Sequence, residues 1–266
     1  MSRRRWQCAV ASVYLSPVPE RPRVHLFVPC YVDQLYPQVG QATYEVLRRA
    51  GCDVQFDTRQ TCCGQPMSNS GCAPEAAILA RRHLDIFRGT TAVSPSASCV
   101  SQVRHHFHDL GLRLDEGDEK TMAETFELSE FLVKRLGFTD FGARFPHKVG
   151  LHASCHGLRE LGLGSMSERR DGATTSPAEL LLGKVAGLEL VHPKRRDECC
   201  GFGGTFAVAE AGLSARMGRD RCDDFANVGA AFVTATDMSC LMHLDGIAAR
   251  QGGPRAVHLA EILVSS

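Results

Sequence analysis

Short runs rich in apolar and β-branched residues recur along the chain, separated by longer stretches of helical period. VHLFVPC (24–30), the start of GCDVQFDTRQTCCG (51–64) and TAVSPSASC (91–99) are of strand length and end in turn residues or cysteine. VGLHASC (149–155), the start of GLELVHPKRRDECCG (187–201) and AAFVTATDMSC (230–240) repeat the series. Between them, Val39, Ala42, Val46, Leu47 and Ala50 recur at three-to-four spacing over 36–50, and Ala77, Ile78, Leu84 and Phe87 over 74–87. Pro74 suits the first turn of the latter helix. In the second half the helices are predicted at 177–186, opening on Pro177, and at 206–225, with Phe206, Ala209, Leu213, Met217 and Phe225 on one stripe. Strands alternating with helices predict an α/β fold of βα units with a mostly parallel sheet flanked by helices.

The two series match in order. Cys30 pairs with Cys155, Cys62 with Cys199, Cys99 with Cys240, and Leu128-Ser129-Glu130 with Leu259-Ala260-Glu261, at separations of 125, 137, 141 and 131 residues. Drifting separations with a fixed order are what loop insertions produce in a tandem duplication. The expected organisation is an N-terminal extension (1–23) without ordered structure, a first repeat (24–143) and a second repeat (144–266). In open parallel sheets a functional crevice lies beyond the carboxyl ends of the strands. The repeated cysteines fall there.

Composition narrows the possibilities. The chain has 266 residues, 44% of them apolar, with 30 basic and 30 acidic side chains. A zero balance lacks the basic excess of a dedicated nucleic-acid binder. No apolar run approaches the ~20 residues of a membrane span, which leaves at most peripheral membrane contact. Three arginines (Arg3, Arg4, Arg5) precede CAVASVYL, an apolar stretch short for a secretory signal and followed by Pro17 and Pro19. The expected compartment is the cytoplasm, where thiols stay reduced.

Twelve cysteines are the outstanding feature. Cys8, Cys52, Cys72 and Cys222 read as small core hydrophobes. The two Cys-Cys-Gly triplets do not, and each half offers four thiols as metal ligands: Cys30, Cys62, Cys63 and Cys99, then Cys155, Cys199, Cys200 and Cys240. Four thiolates can hold Zn²⁺ or an iron–sulfur cluster. Side chains of adjacent extended residues point apart, so both members of a Cys-Cys pair reach a single ion only through a bent turn. A cluster spreads its ligand positions and suits the pair better; zinc is the alternative. The second set is the richer. His152, His156 and Arg159 flank Cys155, and Gly201, Gly203 and Gly204 follow Cys199-Cys200, offering backbone N–H groups to sulfur or to an anion. The expected reactive group is Cys199, Cys200, His152, His156 and Arg159. His152 reads equally as a satisfied strand-end histidine or as a partner of the cluster ligands. The glycines are no dinucleotide fingerprint, since Phe206 takes the sixth position of that motif. His105, His106 and His108 are expected on a solvated helix face.

These motifs resemble a known family. TCCGQPMSNSG (61–71), SPSASC (94–99), HASCHGLRELG (152–162), ECCGFGGTF (198–206), DMSC (237–240) and HLAEIL (258–263) are similar to the cysteine-rich CCG domain found in heterodisulfide reductases, in the iron–sulfur component of glycolate oxidases and in the compact two-repeat lactate-utilization proteins. The resemblance runs from about Val24 to Val264. It implies an oxidoreductase subunit of an L-lactate-oxidising complex with two partner proteins, at least one an iron–sulfur protein, and redox chemistry through [4Fe–4S] clusters of non-cubane type. The fuller family motif ends in Cys-x-x-Cys. Here Ser96 and Asp237 stand three residues before Cys99 and Cys240, so each half keeps four cysteines and the cluster type stays open. The closely spaced ferredoxin run is absent. Two other classes remain: a zinc-stabilised docking subunit, and a thiol–disulfide reductase using Cys199-Cys200.

Overall fold

The structure is a computed structural model and describes residues 21–168 and 175–266. Most of the expected N-terminal extension, with Cys8, lies outside the described residues. Two four-stranded, all-parallel sheets carry the fold. In the first half β1 (Arg23–Leu26), β2 (Asp53–Gln55), β3 (Ala92–Ser94) and β4 (Thr125–Glu127) lie in the order β2-β1-β3-β4. In the second, β5 (Lys148–His152), β6 (Glu189–Val191), β7 (Phe232–Ala235) and β8 (Arg255–His258) lie in the order β6-β5-β7-β8. The two halves therefore share one topology, and the registers agree: Leu26 pairs with Val93 as Leu151 pairs with Thr234.

Helices form where the period requires. Pro37–Arg49, which precedes β2 in the chain, buries Val39, Ala42, Val46 and Leu47, and Ala73–Phe87 starts with Pro74 in its first turn. Two phases differ from expectation. On Ala73–Phe87 the buried stripe is Ala76, Ala80, His83, Leu84 and Phe87, and Ile78 is 70% exposed. The expected helix 206–225 breaks at Glu210, and its main part, Ala211–Asn227, buries Ser214, Gly218, Arg221, Cys222 and Phe225 while Leu213 is exposed. In both helices a polar residue faces inward and a large aliphatic one outward. Cys52 and Cys222 are buried as expected, but Cys72 is exposed, because it precedes the first turn of Ala73–Phe87.

One apolar core passes through both halves. Val24, Leu26, Val39, Val46 and Leu47 belong to the same buried cluster as Val149, Phe225, Leu259 and Ile262. A second cluster, with Phe27, Cys63, Leu84, Cys99 and Phe107, fills the other face of the first sheet. Across the interface Ala97 N–H donates to Thr236 O at 3.2 Å, and Ser96 and Asp237 form an isolated antiparallel bridge. The carboxyl edges of the two sheets are thereby brought face to face.

Candidate metal centre

Strand order reverses direction between β1 and β3, and again between β5 and β7, and the cysteines gather at these two switch points. Their backbone setting differs from expectation. None ends its strand. β1 stops at Leu26, three residues short of the extended Pro29, and Cys30 opens the helix Cys30–Leu35. Cys155 caps the π-helical turn His156–Glu160, while Cys99 and Cys240 sit in the first turns of Ala97–Ser101 and Met238–Gln251. A helix start suits a thiolate, because its free N–H groups and dipole favour negative charge.

The Cys-Cys-Gly turns supply the rest. Gly64 and Gly201 hold φ of +87° and +88°, a left-handed geometry that bends the pair. At Gly201 a Cβ would lie 2.6 Å from Met217 Cβ and 2.8 Å from Ser214 O, so only glycine fits. The bend aims N–H groups back at sulfur: Gly64 N to Cys62 Sγ at 3.4 Å, Gly201 N to Cys199 Sγ at 3.3 Å, and Phe202 N to Cys200 Sγ at 3.5 Å.

In each half neighbouring sulfurs interact. Thiol hydrogen bonds link Cys30 to Cys62, Cys62 to Cys63 and Cys63 to Cys99, the last pair at 3.4 Å. The same order runs Cys155, Cys199, Cys200, Cys240. Bonds from the Cys30 and Cys63 thiols pull Cys62 down to about 3, and bonds from Cys155 and Cys200 pull Cys199 down to about 2. The neighbours Cys30, Cys63, Cys155 and Cys200 are pushed up, by that same bonding and by burial. Four crowded sulfurs cannot all ionise without a cation among them. In the second half Cys200, Cys240 and His152 each bring one ligand atom within 4.8 Å of the others, so this donor set fits a positively charged metal group.

Sequence pattern predicts a separate pocket for each half. Instead all eight cysteines line one cavity of about 350 Å³ between the halves, with Tyr31, Gln65, His156, Phe202, Gly203 and Gly204. His156 Nε2 faces Gln65 Nε2 of the first half at 3.2 Å. Arg159 does not line this cavity. Its guanidinium bonds Glu168 Oε1 at 2.7 Å and Asp197 O at 3.2 Å. His152 is buried behind the second set, with a ring nitrogen within 4.8 Å of Cys200 Sγ and Cys240 Sγ. The trio His105, His106 and His108 stays away from the sulfurs: His105 and His108 are exposed and His106 bonds Glu160 at 3.0 Å.

Three features escape the sequence pattern. Ser96 and Asp237, at the positions of the missing cysteines, act as helix caps. Asp237 accepts from Ser98 N–H at 2.7 Å, Ser239 N–H at 3.1 Å and Ser239 Oγ at 2.6 Å, and Tyr31 Oη joins Asp237 at 3.2 Å and Ser96 Oγ at 2.8 Å. Ser154, beside Cys155, holds a positive φ of 52° without being glycine, strain of the kind stored next to functional groups. Arg221 is fully buried beside His152.

Paired parallel sheets with Cys…Cys-Cys-Gly…Cys at facing edges define a duplicated thiolate-rich metal-binding fold. The chain belongs to the CCG cysteine-rich domain family, which matches residues 24–104 and 149–245. Among curated relatives it is 41% identical over 249 residues to lactate utilization protein A of Exiguobacterium sp., covering 91% of this chain and 97% of the relative. The proteins of that name from Halalkalibacterium halodurans and Geobacillus thermodenitrificans are 39% and 37% identical, with 96% and 98% of their lengths covered. A solute-binding protein of an ABC transporter from Conexibacter woesei aligns over 88% of this chain and 69% of its own at 15% identity, with a TM-score of 0.24, too slight a likeness to argue from. No helix among the described residues is long and apolar enough to cross a membrane.

Proposed function

We propose that this chain is an iron–sulfur redox subunit of a lactate-oxidising complex, working in the cytoplasm with two partner proteins, one of them an iron–sulfur protein. The observation that carries this is the two sets of four sulfurs around one cavity. The relatives' name, lactate utilization protein A, supports the substrate. Oxidation of lactate to pyruvate releases two electrons and two protons, and no flavin or nicotinamide motif is present in the sequence, so that step belongs to a partner or to the cavity itself. Bound iron–sulfur clusters supply reversible one-electron storage. Cys30, Cys62, Cys63 and Cys99 hold one group and Cys155, Cys199, Cys200 and Cys240 the other. The N–H groups of Gly64, Gly201 and Phe202 offset thiolate charge. His156, on the cavity wall, offers a donor to an anionic ligand, and Gly203 and Gly204 leave room for it. Arg159, tied to Glu168, braces the loop around Cys155.

Iron and sulfide analysis of anaerobically purified protein tests the proposal, together with Cys200→Ser. Brown protein with iron and acid-labile sulfide is expected, and the variant loses absorption near 400 nm and activity of the assembled complex but stays soluble. Colourless protein with stoichiometric zinc replaces the proposal with a docking subunit. Dithiol turnover without metal replaces it with a thiol–disulfide reductase. Full complex activity in Cys200→Ser refutes it.

A further inference from the structure

The two sulfur sets look alike, but what backs them does not. The matched sheet registers place His152 at the position of Phe27. The matched burial of the two long helices (Ala76, Ala80, Leu84 and Phe87 against Ser214, Gly218, Cys222 and Phe225) places Arg221 at the position of His83. In the first half Phe27 and His83 meet edge to face at 4.7 Å, and Phe27 packs in one apolar cluster with Cys63 and Cys99. Burial holds His83 far down, at about 3, so that backing is neutral. In the second half the same two positions carry an imidazole and a guanidinium.

Their hydrogen bonding fixes the direction of the imidazole. Arg221 Nε donates to His152 Nδ1 at 3.3 Å. A guanidinium has no lone pair to offer, so Nδ1 is the accepting nitrogen and the neutral ring carries its proton on Nε2. Arg221 is itself held by the carbonyls of Arg195 and Arg196, by Asp224 Oδ2 at 3.4 Å and by the face of Phe225 at 4.3 Å. His152 Nε2 is buried and forms no hydrogen bond within the protein. A ring nitrogen lies within 4.8 Å of the sulfurs of Cys200 and Cys240, longer than a hydrogen bond, so the unpartnered N–H is left for sulfur drawn in around a bound group. A nitrogen that carries its proton donates to a ligand sulfur and does not itself bind the metal.

We propose that His152, oriented by Arg221, donates its Nε2–H to the ligand sulfurs of the second set and raises that set's reduction potential above its twin's, so that an electron shared between the two comes to rest on the second half. This deepens the proposed function and rests on it. Reduction adds one electron and no proton at this position: the N–H stays on nitrogen, and its dipole and the guanidinium charge stabilise the added negative charge. The first set is backed by the Phe27 ring and a neutral His83, with no guanidinium at the position of Arg221. His152 is a positioning residue for the potential and not a ligand.

Anaerobic, iron-loaded protein of full length is titrated with dithionite under spectroscopic observation of both groups. His152→Phe, which copies the first half, is expected to keep its iron and sulfide and to lower one midpoint potential by about tenfold in the reduction equilibrium, about 59 mV for one electron. His152→Gln, whose amide restores an N–H donor, is expected to recover most of that shift. In metal-free protein, nitrogen-15 spectra of the imidazole are expected to show Nε2 protonated and Nδ1 bare. Loaded protein whose two midpoints ignore both variants overturns the inference alone. So does loss of the second set's iron in His152→Phe, which makes His152 a ligand, or a protonated Nδ1, which remains readable should His152→Phe not fold. Wild-type protein without iron and sulfide overturns the reading of the site itself, and this inference with it.

Discussion

Asp237 is the position where the interface and the sulfur site depend on the same atoms, and Asp237→Ala tests that dependence. Its two carboxyl oxygens serve Ser98 N–H across the interface, Ser239 N–H and Oγ in its own helix, and the Oη of Tyr31, the residue after Cys30. The side chain is 0% exposed, so water does not replace it. Tyr31 keeps Ser96 Oγ as a partner, and the Ser239 hydroxyl can turn. The two backbone N–H groups cannot, and each orphaned buried donor costs roughly 1–3 kcal/mol. The loss is therefore about 4 kcal/mol, a large part of the ~5–15 kcal/mol that holds a domain folded. At ~2–4 °C per kcal/mol for a chain of this size, the midpoint of thermal unfolding in reduced, metal-free protein should fall by about 10 °C. Asp237→Asn keeps one carbonyl acceptor and should lose about half as much. A fall below about 2 °C in Asp237→Ala, or an Asn variant as damaged as the Ala variant, would refute the assignment of these bonds as the clasp between the halves.

Two other perturbations follow from the same geometry. Gly201→Ala meets Ser214 O and Met217 Cβ and strains a φ of +88°, so the turn must shift and carry its N–H away from Cys199. Metal content of the second set should drop in that variant, whereas Gly229→Ala, at φ +72° but in open space, should lose only ~1 kcal/mol of stability and no metal. Buried His83 is held at about 3 against an unfolded value near 6.5, so the unfolded chain takes up the proton first as pH falls below 6.5. Its neutral burial then costs about 1.4 kcal/mol more at pH 5.5 than at neutral pH, and urea titrations of His83→Leu should be flatter than wild type by that amount between pH 7.5 and 5.5. Glu127 runs the opposite way: burial lifts it to about 7, so the stability from its protonated form is present below the unfolded value near 4.3 and is lost as pH rises toward 7. Glu127→Gln should remove that loss, and an unchanged pH slope in either variant would refute the respective burial argument.

The parallel sheets, their duplication and the grouping of the cysteines at the carboxyl edges were legible because they rest on period and order, which a sequence displays directly. What was not legible depended on helix phase. Ile78 and Leu213 suggest the inward face by size, yet both point outward. The true stripes run through His83 and through Ser214, Gly218 and Arg221, where small residues let the helix approach the sheet closely and a polar side chain fills what remains. Only tertiary packing reveals such a choice, since a buried guanidinium is stable only once carbonyls from a distant loop, here those of Arg195 and Arg196, surround it. The same holds for Ser96 and Asp237. A search for ligands reads them as losses, but a Ser or Asp just before a helical run is equally the pattern of a helix cap. Their partners lie 141 residues apart in sequence and meet only because two copies of one fold face each other. Duplication thus does more here than double a site. It supplies each half with the wall that closes the other's sulfur set, and it frees the two copies to diverge behind that wall, Phe27 and His83 in one and His152 and Arg221 in the other.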